Sequence, residues 1–241
     1  MTGESYYDKN TANWDRESKH DPAKVRYIVD LLDLKGGEDI LDIATGTGVL
    51  IPLFEEHDPE SILATDISEN MIKEAEKKYP GTDHPKVEFK VTDVYDIKEN
   101  GKFDRVMCMA AFPHFEDKEK AVGIMADSLK YDGILEIAHP ASKEEIAKMH
   151  AMHSGDVVGH ALPEIGELGK MFEENGLRVI FERDDDDYYL MVGRKEPKTF
   201  SEDEMYKILM TEFEEFKDEG KDLYIDDLIK KMREELGTDG N

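Results

Sequence analysis

Cysteine is almost missing from this chain: Cys108 is the only one in 241 residues. An internal disulfide and a multi-cysteine metal site are thereby excluded. Within "RVMCMAAF" the thiol reads as a small buried hydrophobe rather than a nucleophile. Nowhere do about 18 apolar residues run together, and the polar stretch from Met1 to Asn10 has no basic segment ahead of an apolar one. The expectation is a soluble, cytoplasmic protein with no membrane span. Basic residues are outnumbered, 31 Lys plus Arg against 57 Asp plus Glu, for a formal charge of −26. Such a surface repels phosphate backbones and counts against a nucleic-acid substrate, whereas a small molecule or a cationic partner is easier to accommodate. Beyond that the charge reads as a solubility feature and names no function.

What is present is alternation. The short apolar runs "DILDIA", "SILATDI", "KVEFKVTDV", "FDRVMCMAAF" and "GILEIAHP" are each followed by a helical pattern or a polar loop. That order reads as an α/β fold with a parallel sheet and crossover helices. Helices are expected near Pro22 to Leu32, Gly48 to Glu56, Asn70 to Lys78, Lys118 to Leu129, Lys143 to His150 and Glu164 to Asn175, the last stopped by "ENG". "GLRVIFERD" and "YYLMVGRK" are separated by too few residues for a crossover helix, so an antiparallel hairpin at the sheet edge is expected. The "DDDD" between them, Asp184 to Asp187, reads as a solvated turn. After Pro197 the chain becomes acidic and helix-favouring, with Met205, Ile208, Leu209 and Phe213 at helical spacing. The division is therefore a domain over 1–196 and an acidic helical extension over 197–241, which packs on the domain, on a partner or on a second copy.

"DIATGTGVLIPLF", Asp42 to Phe54, carries the most chemistry. An apolar strand ending in Asp42, then Gly46 and Gly48, then a helix, brings backbone close to a ligand. A dinucleotide fingerprint needs a third glycine where Ile51 stands, and a phosphate loop needs a Gly-Lys-Ser/Thr ending that is missing. Asp66 in "LATDISENM" ends the next strand about 20 residues past the turn, the usual place for gripping ribose hydroxyls. Asp93 in "VTDVYDI" again follows a strand, where it can accept a hydrogen bond from an adenine amino group. One such acid alone is an ordinary turn residue or helix cap; three in register with a glycine turn point to an adenosyl ligand.

With "ILDIATGTGVL", "TDIS" and "VTDV" at these intervals, the chain from about Tyr6 to Lys195 resembles the class I S-adenosylmethionine-dependent methyltransferases. The resemblance implies a Rossmann-like sheet of seven strands, mostly parallel with helices on both faces and an antiparallel terminal strand, and S-adenosyl-L-methionine as cofactor. It implies that Asp42 and the turn Ala44, Thr45, Gly46 and Gly48 approach the methionine part, that Asp66 with Ile67 takes the ribose, that Met71 packs near the adenine, and that Asp93 and Val94 read its edge. Ala44 departs from the family pattern, which usually has glycine there. "YYDKNTANWD", "FPHFEDKEKAV" and the "IAHP" region look most like the small-molecule branch that includes quinone-type C-methyltransferases. The Asn/Asp-Pro-Pro-Tyr/Phe motif of nucleic-acid amino methylation is missing, in line with the charge.

Ligands of open parallel sheets bind beyond the carboxyl ends of the strands. There "AAFPHFED" brings Phe112, His114 and Phe115, "IAHPAS" brings His139, and the following segment adds His150, His153 and His160. His139 and His114 are the candidate catalytic bases, histidine being the side chain whose ordinary pKa lies nearest neutrality. Tyr6, Tyr7 and Trp14, with Phe112, Phe115, His150 and His160, are the candidate acceptor contacts; the N-terminal three form either a lid or the packed face of a helix. Convergence of His139, His150 and His160 on a metal is a lesser alternative, and simple packing of the histidines is another. Two functions stay open: methyl transfer to a small molecule, or an adenosyl-ligand sensor or scaffold whose tail binds a partner.

Overall fold

The structure, a computed structural model, describes residues 20–152 and 161–197. Its elements run α1 Pro22–Leu31, β1 Asp39–Ile43, α2 Ile51–Glu55, β2 Ser61–Asp66, α3 Glu69–Lys78, β3 Val87–Val91, β4 Phe103–Met109, α4 Lys118–Ser128, β5 Leu129–His139, α5 Lys143–Met152, α6 Ile165–Glu174, β6 Leu177–Asp184 and β7 Tyr189–Lys195, with 3-10 turns at Val94–Asp96 and Phe112–His114. The seven strands lie in the order β3-β2-β1-β4-β5-β7-β6. Strands β1 to β5 are mutually parallel, and β7 runs antiparallel to both β5 and β6.

Local chemistry explains where the elements begin and end. Asp21 caps α1 by accepting from Ala23 N at 2.8 Å, ahead of Pro22, which fills a first-turn position where no N–H is needed. Ser68 and Asp117 cap α3 and α4 in the same way. Helix α6 stops where expected: Gly176 takes φ +71° and its N–H returns to Glu173 O at 3.1 Å. The strands alternate side chains between two apolar clusters, Leu41, Ile43, Val106 and Cys108 on one face, Ile40, Ile62, Ala64 and Met107 on the other. Cys108 is fully buried, and burial pushes its thiol pKa up, which makes it a packing residue.

Two expectations are adjusted. The helix after the glycine turn begins at Ile51, not Gly48, because Gly48 takes φ +83°, outside the right-handed region. The terminal hairpin forms, but β7 enters the sheet between β5 and β6, so that β6 is the edge strand. The hairpin turn is the acidic one: Asp185 Oδ1 accepts from Asp187 N and Tyr188 N at 2.9 and 3.0 Å, and Asp185 N donates to Tyr188 O at 2.9 Å. Among the described residues no helix is long and apolar enough to cross a membrane.

Candidate active site

The order of the strands fixes where a ligand can enter. The chain leaves β1 toward β2 and β3, then returns to place β4 on the other side of β1, which opens a crevice beyond the carboxyl ends of β1 and β4. Each of these strands is followed directly by an alanine with left-handed backbone, Ala44 at φ +57° and Ala110 at φ +58°. This conformation disfavours a side chain by roughly 1–2 kcal/mol. Strained backbone of this kind clusters at active sites and ligand clamps. Ala44 thus keeps the geometry for which glycine is the usual choice.

The separate motif pieces are joined to one another. Asp66, 9% exposed at the end of β2, accepts from Gly46 N through Oδ2 and from Ser68 N through Oδ1, both at 2.9 Å. Thr45 N donates to Thr65 O at 2.8 Å, stitching the glycine turn to β2. These two backbone bonds fix the orientation of the Asp66 carboxylate at the strand end. Asp42 is 1% exposed, and its Oδ2 accepts from Thr45 Oγ1 at 2.6 Å. Burial, with a smaller contribution from the charge of Asp66, pushes its pKa up to about 7 against the stabilising bond from Thr45. A cation brought beside Asp42 would favour its ionised form.

Gly48 has no room for a side chain: a Cβ would lie 2.8 Å from Cε2 of Tyr79 and 3.3 Å from Cγ1 of Ile51. The Tyr79 ring is in turn edge-on to His84 at 5.3 Å, and His84 Nδ1 is 2.8 Å from both carboxylate oxygens of Glu55 in α2. The turn is therefore buttressed from behind by groups that the motif does not contain. Asp93 is half-buried and caps the Val94–Asp96 turn by accepting from Tyr95 N at 3.1 Å, while Val94 is buried. Ile67 is half-buried beside Asp66, and Met71 is buried in the first turn of α3. These residues fit an adenosyl ligand: acids at successive strand ends, a close backbone approach at Gly46 and Gly48, and an apolar flank.

Beyond the carboxyl ends of β4 and β5, His114 ends the 3-10 turn after β4 and is half-buried, while His139 is the last residue of β5. Strands β4 and β5 are neighbours, so both histidines belong to one end of the sheet. His139 is 4% exposed, with its ring 6.4 Å from that of Tyr189. Phe112 is fully buried in the core, edge-on to Phe115 at 5.9 Å, so that of the two rings only the half-buried Phe115 has an open side. His150 lies in α5, its side chain outside the description; Tyr6, Tyr7, Trp14, His153 and His160 lie outside the described residues. Among the described residues no three His, Cys, Asp or Glu are grouped to hold a metal ion. The sequence reading passes over Ser68 and Tyr79. For Ser68 the signal exists, a serine directly before an acidic first turn; for Tyr79, whose role is a single tertiary contact, there is none.

Residues 40–133 match the methyltransferase domain family. A malonyl-(acyl-carrier protein) O-methyltransferase of Acetivibrio thermocellus is 34% identical over 133 residues, 54% of this chain and 46% of that protein. A ubiquinone/menaquinone biosynthesis C-methyltransferase of an Enterobacter species is 28% identical over 156 residues, 59% of this chain and 58% of that one. The chain thus spans about half the length of these relatives. Among solved structures, a chain of the complex between the Haloferax volcanii Trm112 methyltransferase activator and a methyltransferase superposes with a TM-score of 0.67 at 17% identity, covering 83% of this chain and 98% of that one.

Proposed function

We propose that this chain is a class I S-adenosylmethionine-dependent methyltransferase that moves a methyl group from S-adenosyl-L-methionine to a small-molecule acceptor, a reading supported by the domain match and the fold. The observation that carries the reading is Asp66, an oriented and almost buried carboxylate hydrogen-bonded to the glycine turn itself. Asp66, beside Ile67, would accept the ribose hydroxyls. Asp93 and Val94 would meet the adenine edge, with Met71 on its flank, and Asp42 with Ala44, Thr45, Gly46 and Gly48 the methionine part. When bound, the cofactor supplies a methyl group on a positively charged sulfur. The protein aligns the acceptor for in-line attack and excludes water from the crevice. Where the acceptor must lose a proton, His139 or His114 takes it at a ring nitrogen.

The acidic surface favours a small acceptor over nucleic acid, and the same composition fits a cytoplasmic setting. We divide the chain into a catalytic domain over 1–196 and an acidic extension over 197–241 that serves self-association or a partner, since every cofactor motif lies in the former. The test is turnover of S-adenosylmethionine to S-adenosylhomocysteine with thiols, phenols, quinols and amines in turn. His139→Gln or His114→Gln lowers turnover about 10²–10⁴-fold at unchanged cofactor affinity if that residue is the base. Full turnover in both variants removes the base assignment. Cofactor binding without turnover on any acceptor favours the sensor or scaffold reading instead.

A further inference from the structure

Tyr95 takes part in neither the cofactor contacts nor the histidine chemistry described above, yet it joins the two sides of the crevice. Its backbone belongs to the Val94–Asp96 turn, where its N–H is held by Asp93 Oδ1 at 3.1 Å. Its hydroxyl meets the backbone of Asp117, 22 residues further on: Asp117 N donates to it at 2.8 Å, and it donates to Asp117 O at 3.2 Å. Asp117 is the cap of α4, its carboxylate accepting from Lys120 N at 3.0 Å, and the Lys120 ammonium lies 5.2 Å from the centre of the Tyr95 ring. The segment ahead of Asp117 is the acceptor-side stretch Phe112–Phe115. Its carbonyls are gathered by Lys118, whose ammonium donates to Pro113 O at 3.2 Å and to Phe115 O at 2.9 Å. One phenol thus holds both polar groups of a residue that terminates the acceptor loop, while its own backbone is fixed by the acid placed to read adenine.

This clasp is exposed to water at Asp117, so the net stability that it adds is small; what it fixes is the relative position of two elements that face different ligands. We propose that Tyr95 is a positioning residue that couples the adenine-reading turn at Asp93 to the acceptor-side loop Phe112–Asp117, so that the bound cofactor orders the loop before the acceptor arrives. The inference rests on the cofactor reading given above. A ligand that touches Asp93 and Val94 only when the turn is formed favours the clasped state by its differential affinity for it. The order of binding follows, cofactor first and acceptor second.

The test is hydrogen exchange on the full chain with and without S-adenosylhomocysteine, in the unaltered protein and in Tyr95→Phe, which keeps the ring and its packing and removes only the hydroxyl. In the unaltered protein the ligand should slow exchange at the Phe112 to Lys118 amides by about two- to tenfold, the scale of one hydrogen bond. In Tyr95→Phe that slowing should vanish, while calorimetric affinity for S-adenosylhomocysteine falls by no more than the same roughly two- to tenfold factor, as reciprocal coupling requires. Equal slowing in both proteins overturns the coupling, as does its absence in the unaltered protein when calorimetry shows the ligand bound. A lack of any binding heat in the unaltered protein overturns the cofactor reading itself, and the coupling with it.

Discussion

Asp42, buried at the end of β1, has an ionisation that opposes the folded state. Its pKa is higher folded, about 7, than the ordinary 3.8, and burial is the largest cause. Between these two values the folded chain binds more protons than the unfolded one, so the contribution of this group to stability is present at low pH and is lost as pH rises toward 7. Asp42→Asn keeps an acceptor for Thr45 and removes the titration. Urea unfolding at pH 5 and pH 8 should show the variant gaining on the unaltered protein as pH rises, by at most about 1.4 kcal/mol per pH unit. Parallel profiles would contradict the assignment. Part of the slope should survive in the variant, because Glu136 in β5 is also fully buried, has no hydrogen bond to either carboxylate oxygen among the described residues, and has its pKa raised by burial. The position of Asp42 was legible from the sequence as a strand-ending acid before a glycine turn. Its state was not, since burial depends on what packs around it.

At the scale of elements, the apolar runs located all seven strands, because each is a short hydrophobic stretch closed by an acid, a glycine or a turn. What the pattern left open was which hairpin strand lies inside. The signal was in the sequence nonetheless: "YLMVG" is continuously apolar, as a strand covered on both faces must be, while β6 carries charge at Arg178, Glu182 and Arg183. The inner place of β7 makes Gly193 a packing residue. A Cβ there would lie 2.5 Å from Cδ1 of Phe172 in α6 and 3.2 Å from Cβ of Leu177. Gly193→Ala should therefore destabilise the fold by about 1–3 kcal/mol through overpacking, read as a lower urea midpoint at unchanged slope. A midpoint equal to that of the unaltered protein would show that α6 shifts without cost. Contacts such as Tyr79 behind Gly48 or Tyr95 on Asp117 lie beyond pattern reading, because each joins segments whose spacing the topology alone decides.

Over the whole molecule, the proposed site residues all fall at one end of one sheet: Asp42 in β1, Asp66 in β2, Asp93 past the end of β3, His114 in the turn after β4 and His139 in β5. The opposite end is closed by charge, with Lys130 of β5 bridging Asp39 of β1 and Asp104 of β4 at 2.9 and 2.8 Å. The catalytic reading therefore requires the strand ends to act together, and Asp66 is where they meet, through Gly46 and Ser68. The most direct measurement is calorimetric titration of S-adenosylhomocysteine into the full chain and into Asp66→Ala. The unaltered protein should bind one equivalent, and the variant should bind at least about tenfold more weakly, each lost charge-assisted bond to ribose being worth roughly 1.5–3 kcal/mol. Equal affinity in a variant that remains folded, or no binding by the unaltered protein, would contradict the assignment of this sheet end as the cofactor site.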